Sequence, residues 1–297
     1  MLKKEAKTIL STQNGMNPYR GCEDGGFRDA RFTDSRRKND PGEPEAKINA
    51  AELLEMTLRR KRSKCMIAAG GMCDPYPPEE EELRLMRNCL EVIDRYGYGV
   101  TIQTRSPLLL RDLDLLKSIN RKSRCIVLVT LAAAEESLRE KLEPGACSTA
   151  ERIRLLNSLK EAGIPTVVRL TPLLPMINDT AENLRALMEA CVGAGIYGIQ
   201  TYGLSFMYRV SERERFYSAL EERFPGMKEK YLETFGQGNE LVSPAKEELT
   251  KLIHRTCGNY HIEDDAGRIF TWLHAFVDRE AGEQLSLFDL QGTDWGQ

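Results

Sequence analysis

Cys125-Ile126-Val127-Leu128-Val129-Thr130, Ser148-Thr149-Ala150-Glu151 and Thr166-Val167-Val168-Arg169-Leu170, read together, decide the fold. The first and last are short runs rich in β-branched residues, which suit the pleated surface of a sheet. Between them, Ser148 followed three residues on by Glu151 is a capping box. The hydroxyl takes a free backbone N–H of the first turn, and the carboxylate returns to the cap's own N–H. The helix so opened carries Ile153, Leu156 and Leu159 and stops at Gly163. Strand, helix, strand in this order predicts two parallel strands with a covering helix.

The same unit extends in both directions. Upstream, a helix is predicted over 46–60, with Ile48, Ala51, Leu54 and Leu58 on one face. The strand Cys65-Met66-Ile67-Ala68-Ala69 follows, closed by Gly70-Gly71, then a helix over 79–95 with Leu83, Met86, Leu90 and Ile93. Gly99-Val100-Thr101-Ile102-Gln103-Thr104 is the next strand, and Leu109, Leu113 and Leu116 mark the next helix. Downstream, Asp179 is the expected cap of a helix with Leu184, Leu187 and Cys191, and Gly198-Ile199-Gln200-Thr201-Tyr202 is a sixth strand. Thr8-Ile9-Leu10 reads as a first strand. Five or six such units without a Gly-x-Gly-x-x-Gly fingerprint fit an α/β barrel or partial barrel better than a dinucleotide fold.

Barrel chemistry sits at the C-terminal ends of strands. Those ends are Gly70-Gly71-Met72-Cys73-Asp74-Pro75-Tyr76, Gln103-Thr104-Arg105-Ser106, Thr130, Arg169-Leu170-Thr171-Pro172 and Gln200-Thr201-Tyr202-Gly203. After about residue 210 the pattern is helical only, with Phe216, Leu220 and Phe224 on one face and a helix opening at Ser243-Pro244 through Leu249, Leu252 and Ile253. Residues 279–297 show no core face.

The 297 residues carry 42 Lys+Arg against 45 Asp+Glu, so overall charge neither suggests nor excludes a nucleic-acid partner. The N-terminus has a polar start and no signal-peptide core, and no apolar run approaches the ~20 residues of a membrane span. A cytoplasmic location is the expectation. The eight cysteines form no Cys-x2-Cys pair and read mostly as small buried hydrophobes. His254, His261 and His274 show neither zinc spacing nor a triad pattern.

Asn17-Pro18-Tyr19-Arg20-Gly21-Cys22-Glu23 resembles the start of the cluster loop of radical S-adenosylmethionine (radical SAM) proteins, in the group related to spore photoproduct lyase. Gly70 to Tyr76 is similar to that group's second-strand turn, and Leu142-Glu143-Pro144-Gly145-Ala146 with Ser148 and Glu151-Arg152 to its fourth-strand exit. Thr171-Pro172-Leu173-Leu174-Pro175-Met176-Ile177-Asn178-Asp179 resembles its fifth, while Phe224-Pro225-Gly226, Tyr231 and Phe235-Gly236 resemble its C-terminal helical part. The resemblance implies a partial (β/α)6 TIM-like barrel over 1–209, a helical extension over 210–278 packed on it, and a tail over 279–297. It implies a DNA-repair-like lyase activity, S-adenosylmethionine held near Gly70, Gly71, Asp74, Gln103 and Arg169, and a [4Fe–4S] cluster with Cys22 as ligand.

The family's loop carries Cys-x3-Cys-x2-Cys, because three thiolates hold three irons and leave the fourth for S-adenosylmethionine. Here Cys22 matches the first position, Gly26 stands at the second, and the third falls on Asp29 or Arg28. Glycine has no ligand atom, arginine is a permanent cation, and a hard carboxylate suits a soft cluster poorly. The expectation is no standard cluster, with Cys65, Cys73 or Asp29 as the only candidates to rescue one. A non-catalytic relative that binds nucleic acid or a partner protein is the other reading. For it, Arg20, Arg28, Arg31, Arg36, Arg37 and Lys38 form a basic loop that could join Arg59-Arg60-Lys61-Arg62-Ser63-Lys64 in one anion-binding patch. In the tail, Gln284-Leu285-Ser286-Leu287-Phe288 resembles the pentapeptide by which bacterial repair and replication proteins dock on the DNA sliding clamp. It offers a hydrogen-bonding Gln284 and the apolar Leu285, Leu287 and Phe288 to a surface pocket.

Overall fold

The short runs rich in β-branched residues pair edge to edge in chain order. The structure, a computed structural model, describes residues 1–21, 26–32 and 43–279. Its main sheet has six parallel strands: β1 (Gly15–Met16), β2 (Met66–Ala69), β3 (Gly99–Thr104), β4 (Cys125–Leu131), β5 (Thr166–Leu170) and β6 (Gly198–Gln200). The helices α1 (Ala50–Arg60), α2 (Leu85–Tyr96), α3 (Leu113–Lys122), α4 (Thr149–Glu161) and α5 (Ala181–Ala194) each link one strand to the next. This is the partial (β/α)6 barrel with its helices outside.

Alternation along each strand separates two cores. Val127 and Val129 of β4 and Val168 and Leu170 of β5 join Leu155, Leu156 and Leu159 of α4 in the outer layer. Ile126 and Leu128 of β4, Val167 of β5 and Met66 of β2 point the other way, into the lumen. The capping box of α4 is present as expected: Ser148 Oγ accepts from Glu151 N (3.2 Å), and Ser148 N donates to Glu151 Oε2 (2.8 Å).

Four further helices follow β6: α6 (Arg213–Arg223), α7 (Met227–Phe235), α8 (Lys246–Tyr260) and α9 (Ala266–His274). Helix α8 packs on α5. Helix α9 supplies Ile269 and Leu273 to the lower lumen, among Met66, Ile126, Leu128 and Val167. Thr101 Oγ1 donates to Leu273 O (2.9 Å), and Trp272 stacks on Tyr197 with ring centroids 3.6 Å apart. Gly198 gives α9 its room, since a Cβ there would meet Ile269 Cδ1 at 3.1 Å. The two buried aliphatic side chains contribute about 2 kcal/mol each by area. Helices α6 and α7, with the antiparallel pair Ser205–Met207 and Glu240–Val242, build a separate aromatic core of Phe206, Tyr208, Phe216, Tyr217 and Tyr231 against the upper rim of the barrel.

Several expectations are corrected. The first barrel strand is Gly15–Met16 rather than Thr8-Ile9-Leu10; Leu10 makes only an isolated bridge to Met16. Glu45–Lys47 is a strand, pairing with Leu2–Lys4, so α1 starts at Ala50 and Ile48 is exposed. The helix expected over 79–95 is broken at Arg84, whose φ of 51° ends the turn Glu80–Leu83 before α2 begins. Thr180, not Asp179, caps α5 through Asn183 N (3.2 Å). The region after 210 is not wholly helical, because Glu240–Val242 is a strand.

Candidate functional site at the barrel mouth

The C-terminal ends of β2, β3, β4 and β5 surround a cavity of about 80 Å³, lined by Phe27, Asp29, Gly70, Gln103, Thr130 and Glu143 among others. A second cavity of about 510 Å³ opens beside it, shares Arg28, Asp74 and Arg105, and runs along Tyr76, Pro77 and Pro107. The larger one falls in the size range of small-molecule sites.

The turn after β2 is built around glycine. Gly70 has φ +88°, and a Cβ there would lie 2.0 Å from the Gln103 carbonyl oxygen, so only glycine lets this turn lie against β3. Gly71 has nothing within 4 Å of its would-be Cβ. Asp74 locks the turn to the end of β3. Its carboxylate accepts from Thr104 Oγ1 (2.6 Å), Arg105 N (3.0 Å) and Tyr76 N (3.0 Å).

Arg169 crosses the lumen from β5. It donates from NH1 to Gln103 Oε1 (2.6 Å), and from Nε and NH2 to Gln200 Oε1 (3.2 and 3.0 Å). Its guanidinium lies 5.1 Å from the Tyr202 ring centroid, and burial lowers its pKa. Tyr202 Oη donates to the same Gln200 oxygen (3.0 Å), and burial raises the phenol's pKa. The register pairs Thr130 with Arg169 and Arg169 with Gln200, so these side chains form one polar layer at the top of the lumen.

Two charged assemblies at the mouth were not foreseen from the sequence. Glu143, buried, accepts from Arg105 NH1 (2.6 Å) and Arg152 NH1 (2.8 Å), and Arg152 is itself fully buried. Asp29, also buried, holds Arg31 through Oδ1–Nε (2.8 Å) and Oδ2–NH2 (2.5 Å) and accepts from Met207 N (3.2 Å). Arg31 in turn donates to the carbonyl oxygens of Tyr202 (3.1 Å) and Ser205 (2.6 Å). Burial alone would lower the Arg31 pKa; the hydrogen bond and charge of Asp29 reverse that and raise it. The segment after the cysteine loop is thereby pinned to the exit of β6. A sequence-level signal existed only for the parts, in the Glu143-Pro144-Gly145 and Asp29-Ala30-Arg31 runs; the partners lie up to 178 residues away.

The remaining sequence candidates divide. Cys22 and the tail residues Gln284, Leu285, Leu287 and Phe288 lie outside the described residues, as do Arg36, Arg37 and Lys38. Cys65 precedes β2 and lies at the opposite end of the barrel from Gly70, so it does not reach the mouth. Cys73 is buried and lines the mouth, and it is disulfide-bonded. Cys89, Cys125, Cys191 and Cys257 are buried thiols as expected. The cluster Arg59 to Lys64 lies at that same far end, with Arg59 on Glu55 and Lys64 on Asp278, so it forms no single patch with Arg28 and Arg31 at the mouth. Among the described residues no group of three or more His, Cys, Asp or Glu side chains could hold a metal ion. No helix among them is long and apolar enough to cross a membrane.

A parallel partial barrel with its polar residues gathered at the C-terminal mouth defines a class of α/β proteins. The Radical SAM superfamily model matches residues 28–191, more than half of the chain, and the chain belongs to that superfamily. The match begins beyond Cys22 and Gly26. An uncharacterized protein of Mycobacterium tuberculosis is 28% identical over 257 residues, covering 84% of this chain and 75% of that one. An uncharacterized protein of Methanocaldococcus jannaschii is 30% identical over 174 residues, covering 59% and 62%. Among solved structures, a variant of spore photoproduct lyase aligns with a TM-score of 0.57 over 87% of this chain and 78% of its own, at 14% identity. That likeness is one of fold.

Proposed function

We propose that this chain is a spore photoproduct lyase-like radical SAM protein that keeps the family's nucleoside-binding mouth and does not assemble the standard three-thiolate [4Fe–4S] cluster. One observation carries the reading. The loop positions that would hold the second and third thiolates carry Gly26 and either Arg28 or Asp29, and the Asp29 carboxylate is committed to Arg31 and Met207 N. Of the alternatives for rescue, Cys65 lies at the far end of the barrel and does not reach the mouth. The residues present do not fit the cluster.

S-Adenosylmethionine would lie across the Gly70–Gly71 turn, with Gln103 below it and the larger cavity beside Arg105 open to its nucleoside. The test is anaerobic iron–sulfur reconstitution followed by iron counting and calorimetry with S-adenosylmethionine. Sub-stoichiometric iron with retained binding is expected. About four irons per chain with a broad ~410 nm band would overturn the reading.

The tail gives this protein a partner element independent of cluster chemistry. The order of Gln284, Leu285, Leu287 and Phe288 matches a clamp-docking peptide. Pull-down with a bacterial sliding clamp should retain the wild type and lose a Leu287→Ala/Phe288→Ala variant; equal retention removes the idea.

A further inference from the structure

A third cavity, of about 380 Å³, lies outside the mouth, between residues 26–28 and helix α6. None of Gly70, Gly71, Asp74, Gln103 and Arg169 lines it. It shares only Phe27 and Arg28 with the smaller mouth cavity, so those two residues form a thin wall between the two spaces. Its floor is aromatic. Phe27, Phe206, Tyr208 and Phe216 line it, and all four are buried, so it is a recess in the core of the C-terminal extension and not a dip in its surface. Close packing normally fills such a volume. Phe216 stacks on Tyr208, with ring centroids 4.7 Å apart and planes 12° apart, and on Phe206 at 5.5 Å and 24°. A planar ring entering the recess extends this stack in the offset geometry that aromatic pairs favour.

The rim is charged. Arg28, Arg209, Arg215 and Arg223 line the cavity against Glu212 and Glu222, an excess of cations among the described residues. The Arg223 guanidinium lies 5.1 Å from the Phe27 ring centroid, so flat cation and flat ring already meet at this edge. Within α6, Arg215, Phe216, Ala219, Glu222 and Arg223 recur at spacings of three and four, and one helix face supplies both stacking surface and charge. The volume falls in the range of small-molecule sites. We infer that this cavity is a second ligand site, for a small planar aromatic anion, with its ring on the Phe216 stack and its charge at the arginine rim. The site is distinct from the mouth and holds whether or not the chain binds S-adenosylmethionine or a cluster.

The competing account is a solvent-filled gap beside the aromatic core. Anilinonaphthalene sulfonate, a planar aromatic anion that fluoresces on leaving water, separates the two when paired with phenylnaphthylamine, the same ring system without the sulfonate. Titrated into the purified full chain, the sulfonate should bind saturably at a single site, about threefold or more tighter than the neutral compound. Ala219→Trp fills the cavity from α6 and should weaken the sulfonate by about tenfold or more with no loss of melting temperature. Ser218→Trp does the same from an exposed position on that helix, should Ala219→Trp fail to fold. Arg215→Gln should abolish the preference for the sulfonate and leave the neutral compound's affinity unchanged. Excess S-adenosylmethionine should not displace the probe. Absence of saturable binding by the wild type, equal affinity for the charged and neutral probes, unchanged affinity in a folded tryptophan variant, or displacement by S-adenosylmethionine overturns the inference.

Discussion

Replacing Asp29 by alanine tests whether the residue at the lost ligand position has become an anchor. The carboxylate is buried, chelates Arg31 at 2.5 and 2.8 Å, and accepts from two backbone N–H groups, those of Arg31 (3.0 Å) and Met207 (3.2 Å). Removing one partner of a buried ion pair costs about 3–5 kcal/mol. The Arg31 side chain is 23% exposed, so water recovers part of its charge and the lower end applies. Each stranded N–H adds about 1 kcal/mol where water does not reach it. The expected cost of Asp29→Ala is therefore about 3–5 kcal/mol, a drop of about 10 °C in melting temperature for a chain of this size. Urea unfolding followed by circular dichroism measures it, in a cycle with Arg31→Ala and the double variant. The coupling should exceed about 2 kcal/mol, and the loss should appear in iron-free protein. A cost under about 1 kcal/mol, or additive single effects, would refute the anchoring role and return Asp29 to the list of candidate ligands.

Gly70→Ala should be among the most damaging single changes, about 4 kcal/mol or more, because its Cβ would sit 2.0 Å from a backbone oxygen at φ +88°. Gly71→Ala, with open space around it, should stay within about 0.5 kcal/mol in the same unfolding assay. Glu143→Gln leaves the buried Arg152 guanidinium and the part-exposed Arg105 facing a neutral amide and should destabilise by about 3 kcal/mol, read from the urea midpoint. Ile269→Ala empties the lower lumen and should cost about 2–4 kcal/mol in the same measurement. Burial raises the Asp179 pKa, so the stability tied to its proton is full below the unfolded value of about 3.9 and is lost as pH rises through the folded value. The stability of wild type relative to Asp179→Asn should accordingly fall as pH rises above about 4.

Local chemistry made most of the barrel readable. β3 and β5 were bounded correctly because their β-branched runs end at glycine or proline, and α4 because its capping box is written in four residues. The errors have tertiary causes. β1 is only two residues long and owes its existence to pairing with β2, and Glu45–Lys47 is a strand because Leu2–Lys4 and Tyr19–Arg20 flank it. Helix α9 carries an apolar face like any other, and no local signal says that it enters a lumen rather than covering a sheet. The mouth was legible as a set of strand ends. The Glu143 and Asp29 ion pairs were not, since a sequence records that a charge is present and leaves open which distant cation meets it.

The position of α9 has a consequence for how the protein is made. The hydrogen bond from Thr101 to Leu273 spans 172 residues, and the lower lumen is lined by Met66, Ile126, Leu128 and Val167 long before their cover is synthesised. On the ribosome, all six strands emerge while that greasy interior still lacks its floor. The inner face therefore stays bare until Ala266–His274 has left the exit tunnel, and synthesis halted before residue 266 leaves a sheet with that face uncovered.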